Sequence, residues 1–267
     1  MPAPINPFKA ALNAGSPQIG FWLALANAYT AEIAGSAGFD WLLLDCEHAP
    51  NDIPLLVAQL QALSASPSHP IVRVPIGETW MIKQVLDIGA QTVLVPMVES
   101  SAQAKELVRA MLYPPHGVRG VGAGLARASK FSAIGDYLPT ANDQVCLLLQ
   151  IESRTGMAAL EEIANTNGVD GVFIGPADLA ADMGFIGKPS APEVQAVVED
   201  GLKRIIACGK AAGILTSDLT LAKRYLDLGA TFVAVGNDVS LFANTTRNLA
   251  QSFRSTDQQQ PKDNGSY

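Results

Sequence analysis

The sequence predicts an α/β protein folded as one (β/α)8 TIM barrel, and three observations carry that prediction. Eight short strand-like runs, at 18–25, 40–45, 70–74, 91–95, 145–151, 170–174, 210–215 and 231–235, alternate with longer helical patterns. Eight βα units in roughly 250 residues match a barrel in number and length. Most of the runs are continuously apolar, as in strands buried on both faces of a parallel sheet. Four strand entries also repeat one signature, AGFDWLLLD, IGAQTVLVP, NGVDGVFIG and LGATFVAVG, in which a Gly ends a helix and the chain turns straight into a buried strand. A doubly wound open sheet would carry a glycine-rich turn after its first strand, and FWLALANAYT has none.

In order, the first strand leads into a helix at 30–37, and the second, WLLLD, opens onto CEHAPN before a helix at 53–63. The third, IVRV, precedes a helix at 81–86, and the fourth a helix at 102–111. A Gly-, Pro- and Ala-rich connection then runs over 113–140. Connections of that length are usually functional or at interfaces. The fifth and sixth strands end in QIES and GPADLAADMG, and an amphipathic helix at 192–208 leads to the seventh. After the eighth, VGNDVS reads as a helix N-cap in preference to a phosphate cradle, having one Gly and an Asp. The barrel is expected over 1–253, and 254–267 is polar and patternless, expected to be a disordered tail.

With 48% hydrophobic and 16% charged residues among 267, the chain has ample core material. Its net charge of −7 and lack of Lys/Arg blocks argue against nucleic-acid or anionic-membrane partners. No apolar run approaches the ~20 residues of a membrane helix, and the N-terminus lacks signal-peptide features. Cys46, Cys146 and Cys208 are odd in number and far apart, reading as reduced thiols of a cytoplasmic protein.

Barrel enzymes place chemistry at the C-terminal ends of their strands. The polar residues there are Asp45 and His48 after the second strand, Arg73 ending the third, Gln150 and Glu152 ending the fifth, and Asp178 after the sixth. Glu152 and Asp178, with no nearby Cys or second His, make a hard oxygen site for Mg²⁺ or Mn²⁺; the plain alternative is a pair of N-caps or surface acids. His48 follows Asp45 by three residues, and a carboxylate that orients an imidazole and raises its basicity makes a general base. His69 and His116 lie in Pro-flanked loops without such a partner. A strand-end Arg such as Arg73 either pairs with a barrel acid or neutralises charge on a substrate. Trp22 and Leu215, ending the first and seventh strands, are candidate walls of a substrate pocket, or simple core. A Schiff-base mechanism needs a lysine at the mouth, and no lysine falls there. Any carbanion must be stabilised by a metal.

DCEHAP, the Arg of VRVP, LVPMVES, YPPHGVRGVG, LLQIES and FIGPADLAADMG, colinear across 8–253, resemble the HpcH/HpaI aldolases, more narrowly those cleaving 4-hydroxy-2-oxoheptanedioate. The resemblance implies a (β/α)8 barrel and a class II pyruvate aldolase dependent on Mg²⁺, Mn²⁺ or Co²⁺. Such enzymes cleave 4-hydroxy-2-oxo acids reversibly to pyruvate and an aldehyde such as succinic semialdehyde, a step of aromatic-compound catabolism. It further implies a homohexamer, a trimer of dimers with a terminal helix exchanged between neighbours. By motif position it assigns Glu152 and Asp178 to the metal, Gln150 and the backbone at Ala177 to the substrate, His48 as base and Arg73 as enolate stabiliser. It also assigns Asp87 as the acid supporting the histidine, whereas Asp45 is the local candidate; both stay open. The alternatives are a hydroxypyruvate or sugar-acid aldolase, a CoA-ester lyase of the same superfamily, for which the chain lacks a basic nucleotide patch, and a non-catalytic barrel that binds 2-oxo acids.

Overall fold

A computed structural model describes residues 1–254. Eight parallel strands close into a barrel in sequence order: β1 (Gln18–Leu23), β2 (Trp41–Asp45), β3 (His69–Arg73), β4 (Thr92–Val95), β5 (Cys146–Ile151), β6 (Gly171–Ile174), β7 (Ala211–Leu215) and β8 (Phe232–Asn237). The helices are α1 (Pro7–Asn13), α2 (Ala28–Gly35), α3 (Ile53–Ala62), α4 (Thr79–Asp87), α5 (Ser101–Met111), α6 (Tyr137–Gln144), α7 (Arg154–Ala158), α8 (Leu160–Ala164), α9 (Pro176–Asp182), α10 (Pro192–Ala207), α11 (Leu219–Asp227) and α12 (Asp238–Arg254). All eight expected strands are present, with ends shifted by one or two residues. Residues 255–267, most of the expected tail, lie outside the described residues.

The four helix-to-strand turns owe their sharpness to glycine. Gly38, Gly89, Gly168 and Gly229 sit at φ of 92°, 104°, 95° and 101°, where a side chain would be strained.

Strand parity divides the interior into two layers. Leu42, Leu44, Val72, Leu147 and Leu149 face outward into the shell between barrel and helices. Trp22, Trp41, Leu43, Ile71, Leu148, Phe173 and Phe232 fill the lumen. The N-terminal end is plugged by α1, whose Phe8 is 1% exposed, stacks on His69 at 5.7 Å, and meets Trp41 and Phe232 edge-on. His69 therefore begins a strand instead of lying in a loop. It contacts Thr92 Oγ1 through Nε2 at 2.8 Å, and burial pulls it down to about 4.

VGNDVS does cap a helix, through Asn237, whose Oδ1 accepts from Ser240 N at 2.7 Å; Asp238 instead holds the Ala24 and Leu25 amides. No residue of α12 is buried, although it carries Leu241, Phe242, Leu249 and Phe253.

Candidate active site

The same parity that fills the lumen aims its last layer upward. On β2, Trp41, Leu43 and Asp45 face inward; on β3, His69, Ile71 and Arg73; on β5, Cys146, Leu148 and Gln150. Asp45 and Arg73 are register partners on adjacent strands. Their side chains meet in a bidentate pair, Nε to Oδ1 at 2.9 Å and Nη2 to Oδ2 at 2.7 Å. Both are buried, and the guanidinium lies 5.0 Å from the Trp22 ring centroid. Trp22 also donates Nε1–H to Asp45 Oδ2 at 3.3 Å, so it forms the floor beneath the pair.

Asp45 does not support the His48 ring. Its Oδ1 also accepts the Glu47 and His48 backbone amides, at 2.9 and 3.4 Å, which turn the chain off β2. With five donors on two oxygens it has no lone pair left for an imidazole. Burial pushes its carboxyl up, but the bonds and charge of Arg73 and the two amides outweigh this and hold it below the usual range.

The acid beside His48 is Glu47, with Oε1 3.8 Å from Nε2. Glu47 Oε2 lies 2.8 Å from Arg73 Nη1, so the guanidinium is ion-paired on this side as well. Burial raises the Glu47 carboxyl, against the pull of Arg73 and His48. Sequence reasoning passed over Glu47, although it stands two residues beyond Asp45, on the same parity. The His48 side chain is 66% exposed at the mouth.

Glu152 follows β5 and is 2% exposed. Oε1 accepts from Met97 N at 2.9 Å and Oε2 from Gln150 Nε2. Burial raises this carboxyl, and the charges of Glu47 and Asp178 add to that against the two hydrogen bonds. Gln150 Oε1 is buried with no partner. Met97 holds a left-handed backbone, φ 55°, to aim its amide inward while its side chain stays 51% exposed. Gly175, after β6, is a glycine of necessity: a Cβ there would run into Glu152 and approach Gln150 Nε2 to 3.2 Å. Asp178 and Ala177 sit exposed in the first turn of α9, and Leu215 lies half-buried at the end of β7.

Asp87 stands apart. It ends α4, on the barrel face opposite the mouth, where Oδ1 accepts from Arg119 Nη2 at 2.8 Å. Within one chain it does not meet His48.

The mouth therefore gathers Asp45, Glu47, Glu152 and Asp178 around a single Arg73. Among the described residues no three His, Cys, Asp or Glu are arranged as a metal cage. A cation here would have protein ligands from Glu152 and Asp178 alone, completed by water and ligand, as hard divalent ions accept. The residues fit that role: an excess of negative charge, a buried carboxylate in a raised state, and an open acceptor at Gln150.

Residues 18–245 match the family model described as HpcH/HpaI aldolase/citrate lyase. The chain belongs to this family. Among its relatives in the family, a hydroxypyruvate/pyruvate aldolase of Agrobacterium fabrum is 58% identical over 265 residues, covering 99% of this chain and all of the relative. A 4-hydroxy-2-oxo-heptane-1,7-dioate aldolase of Escherichia coli is 56% identical over 248 residues, covering 93% and 95%. An HpcH/HpaI aldolase/citrate lyase family protein of Burkholderia cenocepacia superposes with a TM-score of 0.89 at 41% identity, covering 93% of this chain and 99% of that one. With both of these relatives named as aldolases, the chain is a carbon–carbon lyase.

Proposed function

We propose that this protein is a class II aldolase that cleaves 4-hydroxy-2-oxo acids reversibly to an aldehyde and pyruvate, or its hydroxypyruvate analogue. The observation that carries the reading is the four-carboxylate mouth with one shared guanidinium. The near-equal identities of the two relatives keep both donors within it. Glu152 and Asp178 would hold Mg²⁺, Mn²⁺ or Co²⁺, whose chemistry when bound is Lewis-acid polarisation of the keto oxygen.

The rest belongs to the chain. Gln150 Oε1 and Nε2 and the Ala177 amide orient the 2-oxo acid. Arg73, held by Asp45 and lying over the Trp22 ring, presents its guanidinium to the negative charge growing on the pyruvyl half. His48 takes the proton from the 4-hydroxyl as C4 becomes a carbonyl; the C3–C4 bond breaks and its electron pair stays with the pyruvyl half, where C3 is later protonated. Glu47, between imidazole and guanidinium, orients both. The exposed apolar side chains of α12 and of the 118–131 segment, Leu125 at 91% among them, support self-association, which with the family likeness we read as a homohexamer with α12 laid on a neighbour; the free cysteines favour the cytoplasm.

The test is a coupled pyruvate-release assay over several 4-hydroxy-2-oxo acids. EDTA is expected to abolish cleavage and added Mn²⁺, Co²⁺ or Mg²⁺ to restore it. Full activity in metal-free protein, or a borohydride-trapped pyruvyl adduct on a lysine, would overturn the assignment.

A further inference from the structure

On the barrel face opposite the mouth, the end of α4, the entry to β4, α6 and the N-terminal segment enclose a cavity of about 70 Å³. Its walls are largely apolar, and the one charged side chain that lines it is Arg119. That side chain is 0% exposed. Nη2 donates to Asp87 Oδ1 at 2.8 Å and reaches Tyr137 Oη at 3.5 Å, and the guanidinium lies 4.3 Å from the Tyr113 ring centroid. Nε and Nη1 are buried with no partner among the described residues. A buried guanidinium with unmet donors is costly, and folded proteins meet such donors with water or a ligand.

The other polar groups of the lining are biased the same way. Tyr137 accepts from Arg119, so its own hydroxyl hydrogen is left to donate. Gln144 spends Oε1 on Asn6 N at 2.9 Å, which leaves its amide hydrogens over. Against these donors stands one unbonded side-chain oxygen, that of Gln91, whose Nε2 holds the Pro4 carbonyl at 2.6 Å. No carboxylate lines the cavity. Asp87 pairs with Arg119 from outside the lining and is 25% exposed, so water shares its charge. The space is several times the ~10–15 Å³ that one water occupies. A group of waters would need acceptors for its own hydrogens, which this lining is short of, and an anion needs none.

We propose that this cavity is a binding site for a small monovalent anion, of the size of chloride, bromide or formate, held by Arg119 with Tyr137 and Gln144. Single charge is preferred because Asp87 already answers part of the guanidinium's charge. A divalent oxyanion would leave a larger negative excess against apolar walls. The bound ion ties Arg119 to both ends of α6 beneath the N-terminal segment, so its binding is read as stability.

The test follows thermal unfolding of the full-length protein in sodium bromide or sodium formate. The reference is sodium gluconate at equal ionic strength, whose anion is too large for the cavity. Tm is expected to rise saturably, by about 3–6 °C at about tenfold Kd. Ala128→Leu fills the cavity and keeps Arg119, and Arg119→Gln removes the cation. General salt effects reach all three proteins alike, and the saturable rise should be absent from both variants. Crystals soaked in bromide should show an anomalous peak beside Arg119, a readout independent of either variant's folding. No saturable rise in the wild type, an equal rise in Ala128→Leu, or density for water alone beside Arg119 overturns the site. A response to sulfate that exceeds the bromide response and is lost in Ala128→Leu overturns the preference for single charge.

Discussion

Replacing Arg73 by Lys keeps the charge and removes the fork. Two nearly parallel bonds to Asp45, at 2.9 and 2.7 Å, join side chains only 8% and 3% exposed. A single ammonium can follow one carboxylate at a time, so at least one charge-assisted bond is lost, worth about 1.5–3 kcal/mol. For a domain of this size that lowers Tm by about 3–12 °C. The loss also shows in acid. Because Asp45 is held below its ordinary value, its stabilisation is present above the unfolded pKa of about 3.9 and vanishes as pH falls through the lower folded value. In the Arg73→Lys protein that depression shrinks, so the acid limb of stability moves to higher pH. Catalytically, losing a preorganised donor to developing charge costs about 10²–10³-fold. Methyl-proton exchange of pyruvate isolates this step from the aldehyde. A folded R73K protein that exchanges at the wild-type rate would refute the role given to Arg73.

His48→Ala is expected to lose about 10²–10⁴-fold in cleavage with Tm little changed, since the ring is 66% exposed and its contact with Glu47 is a loose 3.8 Å ion pair; more than half of wild-type turnover removes His48 from the mechanism. Gly175→Ala forces a methyl against Glu152 and is expected to cost about 1–3 kcal/mol of stability by overpacking and to weaken Mn²⁺ binding by titration calorimetry; unchanged affinity would show that Glu152 is no ligand. For His69, lowered to about 4, the unfolded chain binds the proton first, so stability is full above the unfolded pKa of about 6.5 and falls by up to about 3 kcal/mol as pH drops to 4. Denaturant titrations should show this slope in the wild-type protein and lose it in His69→Phe.

What could be read from the sequence was whatever a single strand encodes. Apolar runs marked eight strands, glycines marked the turns into them, and position at a strand end singled out Asp45, Arg73, Gln150 and Glu152. What escaped depends on relations between strands. That Asp45 spends its carboxylate on Arg73, and not on His48, follows from β2–β3 register, which no one strand contains. Glu47 lies past the end of its strand, where the twofold alternation continues without the apolar neighbours that announce it. Asp87 was assigned by motif position alone, and the direction of α4 carries it away from the mouth of its own barrel.

The donor that fixes one oxygen of Glu152 is the amide of residue 97, and an amide is common to every amino acid but proline. The methionine side chain there points away into solvent. What position 97 contributes is thus a backbone shape, and side-chain identity is free to drift so long as the left-handed turn survives. An alanine scan would pass over the position as silent, while proline, which cannot donate, would remove the contact altogether. Asparagine or glycine, at ease with that turn, would leave it intact. Part of the machinery of this mouth is therefore written in dihedral angles and is invisible to any inventory of functional groups.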